Sequence, residues 1–247
     1  MKDAFAWYTL ADRFERDLYK RIRSAIRSRQ LVFIEEDTPE CVNRVFQAVL
    51  TDGPELFCVD GKWRLVLQDG SRYAQLHFTF TPKETEKGRY QLAQLADSFS
   101  YLKDIPASER ILAVYDWLLA HVEYGFTETD GQSSYDALVR RRAVCKEISK
   151  AFQYLMRSLD VFCTLQEGSL DGVGRHIWNI VEIGGAFYHV DVCMGYMRFA
   201  GVFGAEGNDR RCCLVGDDTI RKTHYLTQPE DTRFVCAYDY GREETCV

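Results

Sequence analysis

No stretch of this 247-residue chain is apolar enough to span a bilayer. The longest candidate, Ile111 to Val122, is interrupted by Asp116, and a spanning helix needs roughly 18 or more apolar residues in a row. Positive charge is also scarce, with 31 Lys plus Arg against 37 Asp plus Glu and a formal net charge of −6. Phosphate binding depends on clustered positive charge, so this balance excludes a general affinity for nucleic acid and leaves any basic patch a local role. No Cys-x-x-Cys pair occurs among the nine cysteines. An odd number of scattered cysteines, in a chain too long to need covalent staples, fits neither a disulfide framework nor a zinc ribbon. No loop of alternating carboxylates suggests calcium. The opening run Ala4 to Ala11 carries Tyr8 and Thr9 and leads straight into Asp12 and Arg13, which makes a poor secretory signal. The expectation is a soluble, cytoplasmic protein with no nucleic-acid or membrane partner and no cofactor, whose cysteines are by default small apolar residues or incidental thiols.

The length allows one large domain or two modest ones. From Ala4 to Arg29, Leu10, Phe14, Leu18, Ile22 and Ile26 recur every four residues with arginines on other faces, which predicts a packing helix with a solvated outer face. A second helix is expected from Pro39 to Leu50, capped by Thr38. Leu56 to Val59, Trp63 to Leu67 and Tyr73 to Phe80 then read as an antiparallel sheet with turns at Asp60-Gly61 and Asp69-Gly70. His77 on the last strand reads as structural. Helical spacing returns from Glu84 to Leu102, and Pro106 precedes a further helix with the stripe Ile111, Val114, Leu118, Val122. The break at Lys103 to Ala107 gives an N-terminal α+β scaffold region, 1–105, and a second region, 106–247, that holds the chemistry.

Ile148, Ala151, Phe152, Leu155, Met156 and Leu159 define a buried helix, and Cys145 stands at its start. Unpaired amides and the positive end of the helix dipole favour an anion there, as a nucleophilic thiolate requires. Arg140, Arg141 and Arg142 lie just upstream, where they either draw in an acidic substrate or face water. A cysteine at a helix start is more often merely buried than catalytic, so a general base is needed. Residues 176–193 supply one. HIWNIVEIGGAFYHVDVC reads as two strands around Gly184-Gly185. If Ile183 pairs with Ala186, Ile180 lies opposite His189, Trp178 opposite Asp191 and His176 opposite Cys193. His176 and Asp191 then share a face as diagonal neighbours, close enough for a carboxylate to hold an imidazole.

Val144-Cys145, Lys150-Ala151-Phe152, Gly168, His176-x-Trp178-Asn179 and Tyr188-His189-Val190-Asp191 resemble the core of the transglutaminase-like superfamily. Asp52 to Phe57, Tyr115 to Tyr124 and Asp217 to His224 are similar to segments of its bacterial members. The resemblance implies an α+β, papain-like transglutaminase core, in which a helix carrying Cys145 packs on an antiparallel sheet carrying His176 and Asp191. It implies Cys145 as nucleophile, His176 as base, Asp191 as orienting acid, and no metal. Two departures stand out. Glu147 replaces the glycine usual two residues after the nucleophile, and Cys193 and Met194 replace the threonine and tryptophan that often follow the aspartate.

The chemistry expected is acyl transfer or hydrolysis on a protein or peptide amide through a thioester. Gln132 and Tyr135, with the Cys145 amide, are candidate oxyanion donors. Trp178 either walls a substrate channel or is an ordinary core residue. Two other readings stay open. One is a peptide-binding module on an inactive fold. The other gathers His189, Cys193, Cys212, Cys213 and His224 at zinc, although adjacent cysteines chelate one ion awkwardly.

Overall fold

The computed structural model describes residues 6, 10, 12–34, 37–126, 133–196, 210–226 and 234–241. The chain forms two compact units, 1–90 with 129–132, and 91–128 with 133–247. Among the described residues no helix is long and apolar enough to cross a membrane.

In the first unit, helix α1 (Arg13–Ser28) starts where the Asp12 carboxylate accepts the Glu15 N–H at 2.9 Å. Leu18, Ile22 and Ile26 are buried on one face, but Phe14, on the same four-residue spacing, is 78% exposed. At 3.6 residues per turn, four-residue spacing drifts about 40° per step, so a long stripe of this kind leaves the core. Arg21 and Arg23 pair with Asp37 and Glu55, as a solvated face would have it. Helix α2 (Pro39–Asp52) is capped by Thr38, whose hydroxyl accepts the Cys41 N–H.

Strands β1 (Val32–Phe33), β2 (Val59–Gln68) and β3 (Ser71–Phe78) form an antiparallel sheet in the order β1-β3-β2. Asp69 and Gly70 both take positive φ and make the expected two-residue turn. Asp60-Gly61 does not turn the chain. It is a bulge inside β2, between the pairs Val59–Phe78 and Trp63–Leu76. Gly61, at φ 82°, absorbs the extra residues, and Asp60 holds the kink by accepting from Lys62 N and meeting His77 Nδ1 at 2.9 Å. Leu56, expected in a strand, closes a turn on Gly53 O. Helix α3 (Pro82–Asp97) follows, begun by reciprocal hydrogen bonds between Thr81 and Glu84.

In the second unit, a 3-10 turn (Ser100–Asp104) leads past Pro106 into α4 (Ala107–His121). Strand β4 (Glu123–Tyr124) pairs in parallel with β5 (Arg142–Ala143), which delivers the chain to α5 (Cys145–Ser158). A five-stranded antiparallel sheet has the order β10-β6-β7-β8-β9, built from β6 (Cys163–Leu170), β7 (Gly174–Ile183), β8 (Ala186–Val190), β9 (Cys213–Val215) and β10 (His224–Leu226), with the short helix α6 (Asp217–Ile220) before the last. Ile148, Ala151, Phe152, Leu155 and Met156 on α5 are wholly buried, each contributing about 1.5–3 kcal/mol apart from the smaller alanine. Two polar contacts fix how α5 sits on β7. Ser149 Oγ donates to Ile177 O at 3.0 Å, and Asn179 Nδ2 donates to Ser149 O at 3.0 Å.

Gly168 on β6 lies where β10 and the ring of Trp178 both press in. A Cβ there would come within 2.2 Å of Tyr225 O and 2.7 Å of the Trp178 ring. Because a backbone carbonyl cannot swing aside, Gly168→Ala is expected to lower unfolding stability by about 1–3 kcal/mol, read as a lower urea midpoint.

Candidate active site

The loop before α5 brings Cys145 to the helix start as a half-buried residue. Glu147 folds back, and its Oε2 accepts the Val144 N–H at 3.0 Å. That bond satisfies an amide left free at the helix end. Burial pushes the Glu147 carboxyl above its ordinary pKa. The departure from glycine thus acts as a helix cap.

The β7–β8 hairpin has the register derived from Gly184-Gly185, with Ile183 opposite Ala186, Ile180 opposite His189 and Asn179 opposite Val190. The two glycines take φ 60° and 89°, as a tight primed turn requires. The ladder then ends, because the Asp191 N–H donates to Cys212 O at 2.8 Å. Asp191 Oδ2 receives His176 Nε2 at 2.6 Å, and Oδ1 accepts the Cys193 N–H at 2.9 Å. Cys145 lies near enough to His176 to act on its charge. The structure therefore brings Cys145, His176 and Asp191 together.

Burial opposes charge on His176, but the Asp191 carboxylate and its hydrogen bond, with Cys145 adding to them, raise its pKa to about 10. Burial likewise works against the Asp191 charge, yet His176 and His224 hold it well below the usual carboxylate range. His224 is the residue that spacing missed in this role, its Nε2 lying 3.0 Å from the same Oδ2. The sequence drew it into the Asp217 to His224 resemblance and a zinc grouping but not toward Asp191, because its partner strand β6 lies more than fifty residues earlier.

Trp178 is wholly buried, which meets the core reading and not the channel wall. Its Nε1 donates to His189 Nδ1 at 3.0 Å, and His189 Nε2 meets Asp217 Oδ1 at 2.9 Å. An indole N–H only donates, so His189 must carry its proton on Nε2 and stay neutral. Its pKa is accordingly lowered, by burial first. The Tyr135 hydroxyl donates to Gln91 Oε1 at 3.1 Å. Gln132 lies outside the described residues. The three arginines are engaged locally, Arg140 with Asp136, Arg141 over the Trp117 ring and Arg142 with Glu123. That favours a structural use over substrate attraction.

Among the described residues two groups of metal-type ligands converge, His176–Asp191–Cys193 and His189–Asp217–Cys236. Neither has suitable donor chemistry. Both imidazole nitrogens of His189 are committed, and a metal on Nε2 would leave Nδ1 unable to accept from Trp178. In the first group, burial pushes the Cys193 thiol well up, while Asp191 already takes two imidazoles. The zinc grouping drawn from the sequence is split, with His189 on Asp217 and His224 on Asp191.

The buried pair has a pH signature. The His176 share of stability is full below its ordinary 6.5 and is lost as pH rises through about 10. The Asp191 share is present above its ordinary 3.8 and is lost on acidification. The stability gap between wild type and Asp191→Asn in urea should therefore be widest between about pH 4 and 6.5 and shrink toward about pH 10. A gap that stays flat over the alkaline range would contradict the ion pair.

Residues 82–192 match the family profile of the transglutaminase-like superfamily. No functionally curated protein matches the chain. Among solved structures, a provisionally named cysteine protease from Cytophaga hutchinsonii is 19% identical, with a TM-score of 0.34 over 53% of this chain and 61% of its own. A TGase is 12% identical, with a TM-score of 0.37 over 64% of this chain and 48% of its own. A provisionally named protease from Parabacteroides distasonis is 8% identical, with a TM-score of 0.32 over 52% of this chain and 35% of its own. This chain thus spans less than two thirds of each. The segment that matches the profile holds Cys145, His176 and Asp191 within a mixed helix and sheet fold.

Proposed function

We propose that the chain carries out thiol-dependent acyl transfer or hydrolysis on a protein or peptide amide, with Cys145 as nucleophile, His176 as general base and acid, and Asp191 as the group that orients it. The observation that carries this reading is a single imidazole bonded to a buried carboxylate at 2.6 Å, with a half-buried thiol near enough to act on its charge. A third group that orients the base of a nucleophile–base pair is the logic of activated nucleophiles. The Cys145 sulfur attacks the amide carbonyl, and the carbonyl oxygen takes up negative charge. The C–N bond breaks as protonated His176 gives its proton to the departing amine, leaving a thioester. Water or a second amine, deprotonated by His176, then attacks the thioester and releases the thiolate. The Cys145 amide, first in α5 and without an intrahelical acceptor by position, is the backbone donor available to the oxyanion. The N-terminal region, 1–105, supplies none of the three residues and reads as a scaffold.

The test uses thiol reactivity and turnover together. Among the described cysteines only Cys145 and Cys41 are not buried, and burial with nearby Asp37 and Asp12 raises the Cys41 pKa. Cys145 should therefore alkylate far faster than Cys41 near neutral pH, and Asp191→Ala should slow it at least about tenfold. Cys145→Ala should abolish both ammonia release from glutamine peptides and incorporation of a fluorescent amine. Activity that survived that substitution would sink the proposal. Uniform, slow labelling would favour a peptide-binding module on the same fold.

A further inference from the structure

The Asp191 carboxylate is wholly buried, and the side chain that shares its Oδ2 with His176 comes from the far edge of the sheet. His224 opens β10, which pairs with β6 so that His224 lies opposite Leu170 and Leu226 opposite Gly168. β6 in turn pairs with β7, with Gly168 opposite His176. The two histidines are thus two strands apart, yet their rings lie 5.7 Å centroid to centroid. Trp178 packs against both, near parallel to His176 at 6.2 Å and edge-on to His224 at 4.9 Å. Its ring fits because Gly168 has no side chain. Asp191 is acceptor-only when ionised, so His224 Nε2 must donate to it, and Nδ1 meets the Thr223 hydroxyl at 2.8 Å.

We propose that His224 is a positioning residue of the Cys145–His176–Asp191 centre, which by donating to Asp191 Oδ2 keeps that oxygen aimed at His176. The proposal rests on the thiol-enzyme reading above. A carboxylate rotates about its Cβ–Cγ bond unless both oxygens are held. The Cys193 amide holds Oδ1, and two imidazoles hold Oδ2. Without His224 the only hydrogen bond left on Oδ2 is that of His176, the one partner that must move protons, with the Cys193 amide alone steadying the other oxygen. The other titratable groups around the pair are Cys145 on α5, Tyr115 on α4, Cys193 after β8, Glu147 beyond Cys193, and His189 behind Trp178.

Iodoacetate tests this without a known substrate. It is an anion, so it labels Cys145 fastest while the thiolate sits beside protonated His176, and its rate falls at alkaline pH as His176 loses the proton. Peptide mapping of the folded full chain reads that rate at Cys145 alone. In His224→Phe the alkaline limb should move down by about one pH unit, a tenfold loss of protonated His176. His224→Gln, whose amide nitrogen occupies the place of Nε2, should restore it. His224→Asn is polar but too short to reach Asp191, so it should behave like Phe and serves if the Phe variant does not fold. An alkaline limb unmoved in the Asn or Phe variant, or shifted equally in the Gln variant, would overturn the role of His224 while leaving the triad standing. A wild-type profile with no alkaline fall, or one that His176→Ala leaves unchanged, would overturn the thiol reading and the proposal with it.

Discussion

A carboxylate with no access to water is the constraint around which the second unit is organised. Asp191 is fully buried, and an ionised group in that position is tolerated only when paired and hydrogen-bonded. Donors from three separate places meet it, namely His176 on β7, the Cys193 amide in the turn after β8, and His224 on β10. The sheet order β10-β6-β7-β8-β9 puts these on converging elements. The charge lifts His176 above its ordinary pKa despite burial, and the same charge helps push the Cys193 thiol up. Two neighbouring groups are thereby driven toward opposite uses, a protonated imidazole and an inert thiol.

A second polar system lies behind Trp178. Trp178 donates to His189, which is held by Asp217. This chain fixes the indole plane on which the His176 ring rests. Its donors and acceptors are matched one to one, which leaves no nitrogen for a metal and no reason for His189 to charge. The helix is aligned to the sheet in the same manner, with Ser149 and Asn179 exchanging backbone contacts across α5 and β7. Burial of the apolar face of α5 sets how tightly helix and sheet adhere, while these directional bonds set their register.

Much of this was legible in the chain itself because it depends on local rules. The stripe from Ile148 to Leu159 identifies α5, and Cys145 follows as its first residue. Gly184-Gly185 fixes the hairpin register as far as Asn179 opposite Val190, and just past the end of that ladder the His176 and Asp191 side chains meet. Local rules also misled. Asp60-Gly61 has turn chemistry but serves a bulge, since the partner strand β3 continues past it. Glu147 looks adverse beside a thiol until its carboxylate is found on the Val144 amide. The basic run at 140–142 looks like a lure for anions until each guanidinium is found with a partner.

What the sequence by itself determined is periodicity and the tight turn, because side chains three or four apart on a helix, or across a two-residue loop, are neighbours whatever the rest of the chain does. It therefore specified the helix-start thiol and the histidine–aspartate hairpin. Only the tertiary structure decided which groups complete them. His224 reaches Asp191 through the β10–β6 pairing, and Asp217 reaches His189 from the start of the helix before β10. Such partners are chosen by non-local strand order and by the room that Gly168 leaves for Trp178. Pairing across distant strands is set by the packing of the whole unit, and spacing along the chain carries no record of it.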